Sequence, residues 1–245
     1  MRCTRSRTCA CFFLLASLSF RLGDRGRSPT KITPMKHLIC LIAIVGITHA
    51  AQADDPSETF FQFDGKTQFV RTKFEYKGNH PITVDAVIAP AQLDTPQTFV
   101  GDIESAGFAL MIYKRRYEFR VHNGDTYIKA RSETVPTPGE KIHLTGIFDG
   151  RNVAIFVNGK QEAKTAFTGK IKLSERPVAL AADPTTRTKM QDYFQGRFYE
   201  ARVLNQAILP VVKRGKVGLI QNRKTIAAEV FHADFSKTTR VSSDE

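Results

Sequence analysis

Four kinds of side chain could do chemistry in this chain, and their spacing limits what each could do. Glycoside hydrolysis needs two carboxyls roughly 5 Å apart in a retaining site. Same-face residues i and i+2 of a strand supply about that spacing. The nearest approach is Asp102 and Glu104 in GDIESAG, which reads as a polar loop rather than a catalytic cluster. Histidines His80, His122, His143 and His232 are dispersed and lack metal-ligand spacing, so a zinc site is not expected. His143 reads as a solvated or hydrogen-bonded strand residue. No serine sits in a Gly-x-Ser-x-Gly elbow. Cys3, Cys9, Cys11 and Cys40 all precede residue 54, which leaves no thiolate and no disulfide frame for the rest of the chain. The expectation is a protein that binds rather than catalyses.

Exposed aromatics beside cations are the other chemical resource. Tyr113, Tyr117, Tyr127, Tyr193 and Tyr199 are candidate platforms for a sugar ring, and Arg115 and Arg116 in YKRRYEF lie beside the first two. Arg115, Arg116, Tyr117 and Tyr127 form the candidate ligand-binding set. Lys114-Arg115-Arg116 is also what a solvated turn would carry. Tryptophan, a frequent sugar platform, is absent.

The elements that must position these residues are strands. ETFFQF, QFVRTKFEY, ITVDAVIAP, QTFVGDI, FALMIYK, YEFRVH, TYIKARS, IHLTGIF and NVAIFV are short segments with alternating apolar positions. They are punctuated by Asp64-Gly65, Asn123-Gly124, Asp149-Gly150 and Asn158-Gly159, dipeptides that supply the positive φ of tight hairpins. Val153, Ile155 and Val157 share one face, and Ala154 and Phe156 the other. Leu144, Gly146 and Phe148 oppose His143, Thr145 and Ile147 in the same way. Apolar residues on both faces suit a two-sheet sandwich. TIAAEVFHADF is a candidate closing strand lying beside the first one.

The formal charge of +12 over 245 residues invites a nucleic-acid reading. Residues 1–53 hold eight Lys/Arg and one acid, so the remainder carries 28 basic and 23 acidic residues, a net +5. That is ordinary for a soluble domain, and no nucleic-acid partner is expected. Met35-Lys36-His37, the apolar run LICLIAIVGITHA and Ala51-Gln52-Ala53 make a secretory signal with an A-x-A cleavage site. The expectation is a secreted, periplasmic or cell-surface protein whose only membrane contact would be an uncleaved signal. The domain reading is 1–34 an upstream extension whose translation is in question, 35–53 signal peptide, 57–209 sandwich, and 210–245 a C-terminal extension.

Three stretches, in order, carry a family resemblance. FQFDGKTQFVRT is similar to the opening strand and turn of the laminin-G-like jelly roll of the concanavalin A-like lectin/glucanase superfamily. GEKIHLTGIFDGRNVAIFVNGK resembles its central hairpin, and FQGRFYEARVLNQAI its closing Phe-x-Gly strand. The chain departs from the family where Lys141-Ile142 and TVDAVIAP stand in place of tryptophans and Arg197 in place of a cysteine. The resemblance implies an all-β, two-sheet antiparallel jelly roll that binds carbohydrate, an extracellular polymer or a protein. It also implies a calcium site at the sandwich rim, formed by Asp125, Asn205 and the Val203 carbonyl. No other cofactor is implied. The rival readings are a glycan hydrolase or lyase of the same superfamily, and a purely structural or adhesive accessory domain.

Overall fold

The computed structural model describes residues 58–78, 81–219 and 229–235. These all fall in one unit, His49–Glu245. The signal segment and the extension before it lie outside the described residues. So does His80.

Among the described residues seventeen strands follow one another: β1 (Phe61–Asp64), β2 (Val70–Arg71), β3 (Ile82–Pro90), β4 (Gln97–Gly101), β5 (Phe108–Tyr113), β6 (Arg116–His122), β7 (Tyr127–Arg131), β8 (Ile142–Phe148), β9 (Asn152–Val157), β10 (Lys160–Ala166), β11 (Ala179–Leu180), β12 (Asp183–Pro184), β13 (Met190–Gln191), β14 (Gln195–Leu204), β15 (Pro210–Lys213), β16 (Lys216–Leu219) and β17 (Glu229–Asp234). Among the described residues there is no helix. One antiparallel sheet runs β1-β14-β3-β8-β9-β10, with β17 also on β14, and a second runs β2-β11-β4-β5-β6-β7. This is the two-sheet jelly roll that the alternation and the resemblance lead one to expect.

Alternation decides what lies between the sheets. Val84, Ala86, Ile88, Leu144, Val153, Ile155 and Val157 from the first sheet meet Phe99, Phe108, Leu110, Tyr117, Phe119 and Val121 from the second in one core. Ile147, Ala154 and Phe156, the opposite face of the same hairpin, form a separate apolar cluster. The β15–β16 hairpin packs on β14 in a cluster of its own. Leu219 packs on Leu204, and the Ile208 amide donates to Thr83 Oγ1 at 2.8 Å. At the β9–β10 turn both Asn158 (φ 48°) and Gly159 (φ 80°) are left-handed, as a type I′ turn requires. A Cβ at Gly159 would lie 2.7 Å from Val212, so the glycine also makes room for the hairpin. The β5–β6 turn has the same sign at Lys114 (50°) and Arg115 (57°) without either residue being Asn or Gly.

β17 pairs with β14 from Glu200 to Leu204, and β1 pairs with the same edge of β14 from Gln195 to Phe198. The two end segments therefore share one edge, one after the other. Phe235 closes the line by packing on Phe61, Phe63 and Phe198. The sandwich thus extends past residue 209.

Candidate binding face on the six-stranded sheet

The outer face of the second sheet is built by β5, β6 and β7. On β6 the odd residues Tyr117, Phe119 and Val121 enter the core, so Arg116, Glu118, Arg120 and His122 point outward. On β7 the same rule turns Tyr127, Lys129 and Arg131 outward, since Ala130 is a core residue. The register sets Arg131 opposite Glu118, Lys129 opposite Arg120, and Tyr127 opposite His122.

At the centre of this face Glu118 is fully buried and pairs with both Arg120 and Arg131. Two cations, each donating to one carboxylate oxygen, satisfy a charge that burial would otherwise penalise heavily. The Arg120 guanidinium lies 4.5 Å from the Tyr113 ring and 5.6 Å from the Tyr127 ring, so two phenols and one carboxylate fix its orientation. Tyr127 is 38% exposed. Its ring meets His122 edge-on at 4.7 Å, and its hydroxyl accepts from the Ser105 amide at 3.3 Å. His122 Nδ1 accepts the Gly124 amide, and burial followed by the nearby Lys172 pushes the ring's pKa down.

The structure distributes the sequence candidates unevenly. Tyr127 and Tyr113 do come together here. Tyr117 does not: it is 1% exposed, its ring belongs to the core, and burial drives its phenol pKa up. Tyr117 is therefore corrected from ligand contact to core residue, because it shares the inward parity of Phe119. Arg115 is exposed in the β5–β6 turn and paired with Asp94. Arg116 lies on the outer face, beside Tyr113. Glu118 and Arg120 escaped notice in the sequence. The signal was available, since they alternate with core residues in YEFRVH. Tyr199 is buried under Lys141, and Tyr193 meets Phe69 edge-on.

The carboxylate pair in GDIESAG has a structural role. Asp102 is fully buried, and its Oδ1 accepts the Phe108 amide at 3.0 Å. Gly107, at φ 68°, lets this happen: a Cβ there would stand 2.1 Å from Asp102 Oδ1. Asp183 Oδ1 accepts the Ile103 amide at 2.8 Å, and the Gln191 amide bridges Asp183 to Glu104. Burial is the main cause that raises Asp102 from 3.8 to about 7 and Asp183 to about 6. A raised acid holds its proton in the folded state where the unfolded chain has lost it. These two groups therefore favour folding most below about pH 4 and progressively less up to about pH 7. His122, with its lowered pKa, acts in the opposite sense below its unfolded pKa. We expect Asp102→Asn, which keeps an acceptor for Phe108, to stabilise the protein at pH 7.5 and to flatten the pH dependence of its melting temperature relative to wild type. Parallel scanning calorimetry of the two proteins from pH 5 to pH 7.5 measures this, and curves of equal slope would refute it.

On the outer face of the other sheet, Asp85 Oδ1 accepts Thr145 Oγ1 at 2.6 Å and lies 2.8 Å from His143 Nε2. Arg202 and His232 converge on Glu200. His143 and Asp85 are both buried, so His143 is a hydrogen-bonded strand histidine, as expected. An open concavity of about 790 Å³ lies elsewhere, lined by Lys73, Phe74, Glu75, Lys77 and Phe231.

Asp125 is exposed in the β6–β7 turn, where the Asn123 side chain accepts its amide at 2.9 Å. Asn205 follows directly after β14, and its Oδ1 is buried without a hydrogen-bond partner among the described residues. Val203 lies inside the ladder, paired with both Val84 and Phe231. Among the described residues no three His, Cys, Asp or Glu side chains cluster as metal ligands.

A two-sheet jelly roll carrying aromatic and basic side chains on one outer face has the architecture of a lectin-type domain. A laminin-G family model, described as concanavalin A-like lectin/glucanases superfamily, matches residues 64–210, and the chain belongs to that superfamily. No curated protein sequence matches it. Among solved structures, a Bacteroides ovatus protein described as carbohydrate binding aligns with a TM-score of 0.56 at 14% identity, over 74% of this chain and 52% of that one. A heptameric SAP-like pentraxin from Limulus polyphemus gives 0.49 at 13% identity, over 64% and 80%. Domains LG4-5 of the mouse laminin alpha1 chain give 0.46 at 15%, over 67% and 44%. This chain spans about half the length of the Bacteroides protein and less than half of the laminin fragment. At these identities the likeness is one of fold.

Proposed function

We propose that this chain is an exported, non-catalytic module that binds a glycan on the outer face of β5–β7, around Tyr127. The observation that carries the reading is the Tyr127 ring itself, exposed yet held by His122, Arg120 and the Ser105 amide. A rigid aromatic face with hydrogen-bonding neighbours suits a sugar ring, whose C–H surface stacks while its hydroxyls need polar partners. The Bacteroides protein described as carbohydrate binding has this fold, which supports the reading. The non-catalytic part rests on Asp102, which is buried too deeply to meet a substrate. Export rests on the Met35–Ala53 signal segment.

A glycan array probed with the purified protein, with and without calcium, tests the function. Wild type is expected to bind and Tyr127→Ala to lose most of the signal. Binding unchanged in Tyr127→Ala would overturn the assignment of this face, and reproducible release of reducing sugar would overturn the non-catalytic reading.

The rim calcium site is proposed on the orphaned Asn205 Oδ1, with Asp125 as its carboxylate. Val203, held in the ladder, is the weakest member of that set. Calcium there would add a positive charge and stiffen the loops. A single carboxylate among neutral oxygens implies affinity of roughly 10⁻⁴–10⁻³ M. A few millimolar calcium would then stabilise the fold by about 1–2 kcal/mol and raise the melting temperature by a few degrees. Asp125→Asn is expected to abolish the rise. Superimposable wild-type scans in calcium and in chelator would rule the site out.

A further inference from the structure

We infer that the ligand of the β6–β7 face is an acidic glycan, one that carries carboxylate or sulfate groups. The inference rests on the reading that this face binds glycan, and it adds the ligand's charge. The outward positions of the two strands are Arg116, Glu118, Arg120, His122, Tyr127, Lys129 and Arg131. Four of these are cations and one is a carboxylate. Glu118 is already shared between Arg120 and Arg131. None of the ion pairs among the described residues includes Arg116 or Lys129. Lys129 is exposed and stands directly opposite Arg120.

Same-face neighbours lie roughly 7 Å apart along a strand and about 5 Å apart across it, so these charges fall within the span of one or two sugar residues. Like charges at that spacing with one buried counter-ion leave a local positive field, which an anionic ligand neutralises. β7 is the edge strand of its sheet, and a lysine on an edge also discourages strand pairing between molecules. That role accounts for Lys129 alone. It does not account for a guanidinium clamped between two phenols, with its Nε buried and unpartnered. Asp192 approaches Arg120 as a competing acid, but burial raises its pKa and weakens that competition as pH falls.

The test measures binding of the purified protein to immobilised polygalacturonate, dextran sulfate and neutral dextran, at low and at physiological salt. At least one acidic polymer is expected to bind and dextran to fail, with the two acidic arms showing whether carboxylate or sulfate is preferred. Lys129→Ala, at an exposed position, is expected to weaken the acidic polymer roughly fivefold, and Tyr127→Ala at least as much. Lys66→Ala, in the turn after β1, is expected to change nothing. Dextran binding that depends on Tyr127 but ignores Lys129 would retain the glycan face and overturn the acidic ligand. Equal losses in Lys66→Ala and Lys129→Ala would reveal diffuse attraction to a basic protein and would also overturn it. Binding to none of the three polymers does the same.

Discussion

Ile155→Asp is expected to abolish folding. Ile155 is fully buried in the centre of β9, paired with Gly146 on β8 and with Ala163 on β10, and its side chain enters the core between the sheets. A carboxylate there would have no cation and no donor. Burying such a charge costs on the order of several kcal/mol, comparable with the roughly 5–15 kcal/mol that a domain has in total. The variant should be recovered as aggregate, or lack a cooperative melt followed by circular dichroism. Ala166→Asp, at the exposed end of β10, introduces the same charge without burial and should melt within a few degrees of wild type. A cooperative, near-native melt for Ile155→Asp would mean that the register of the central hairpin is wrong.

Glu118→Ala is expected to destabilise the protein by roughly 3 kcal/mol, near the lower end of what is lost when one partner of a buried ion pair is removed. The reason lies in what remains. The Arg120 side chain is only 11% exposed and would lose its sole carboxylate hydrogen bond, while Arg131, at 37%, can turn to water. For a domain of this size the melting temperature should fall by about 10 °C. Glu118→Gln keeps the shape and an acceptor but removes the charge, so an intermediate loss is expected. If both variants melt like wild type, the arginine–glutamate cluster is a solvated surface arrangement and Arg120 is not held in place by it. The same variants report on function, because Arg120 is oriented by Glu118 from below and by Tyr113 and Tyr127 from the sides. A glycan that depends on that orientation should bind Glu118→Gln more weakly than its stability loss alone would explain.

Much of the fold could be read from local signals. Alternation in IHLTGIF and NVAIFV sets Leu144 opposite His143 and Ile155 opposite Phe156, and the structure turns Leu144 and Ile155 into the core and the other two away from it. The Asn158-Gly159 turn announced its hairpin because both central residues need positive φ. The β5–β6 turn was less plain: Lys114 and Arg115 adopt the same left-handed geometry, and their cost there is outweighed by the ladder of β5 on β6. YEFRVH contained the parity that buries Tyr117 and turns Arg120 away from the core, yet a tyrosine near two arginines looks like a platform until the strand's inward side is known.

The sequence by itself determined most of the longer strands, which of their residues share a face, the Asn-Gly and Asp-Gly turns and the family resemblance, because alternation and turn chemistry act over a few residues. Only the tertiary structure decided which faces meet. Tyr113 and Tyr127 are fourteen positions apart and flank one guanidinium because β5, β6 and β7 lie side by side. Glu104 reaches Asp183 through Gln191 because the β4–β5 loop folds against the β12–β13 pair. The closing strand takes the edge of β14 that β1 leaves free beyond Phe198. Such pairings depend on sheet order and loop closure over tens of residues, and no local pattern encodes them.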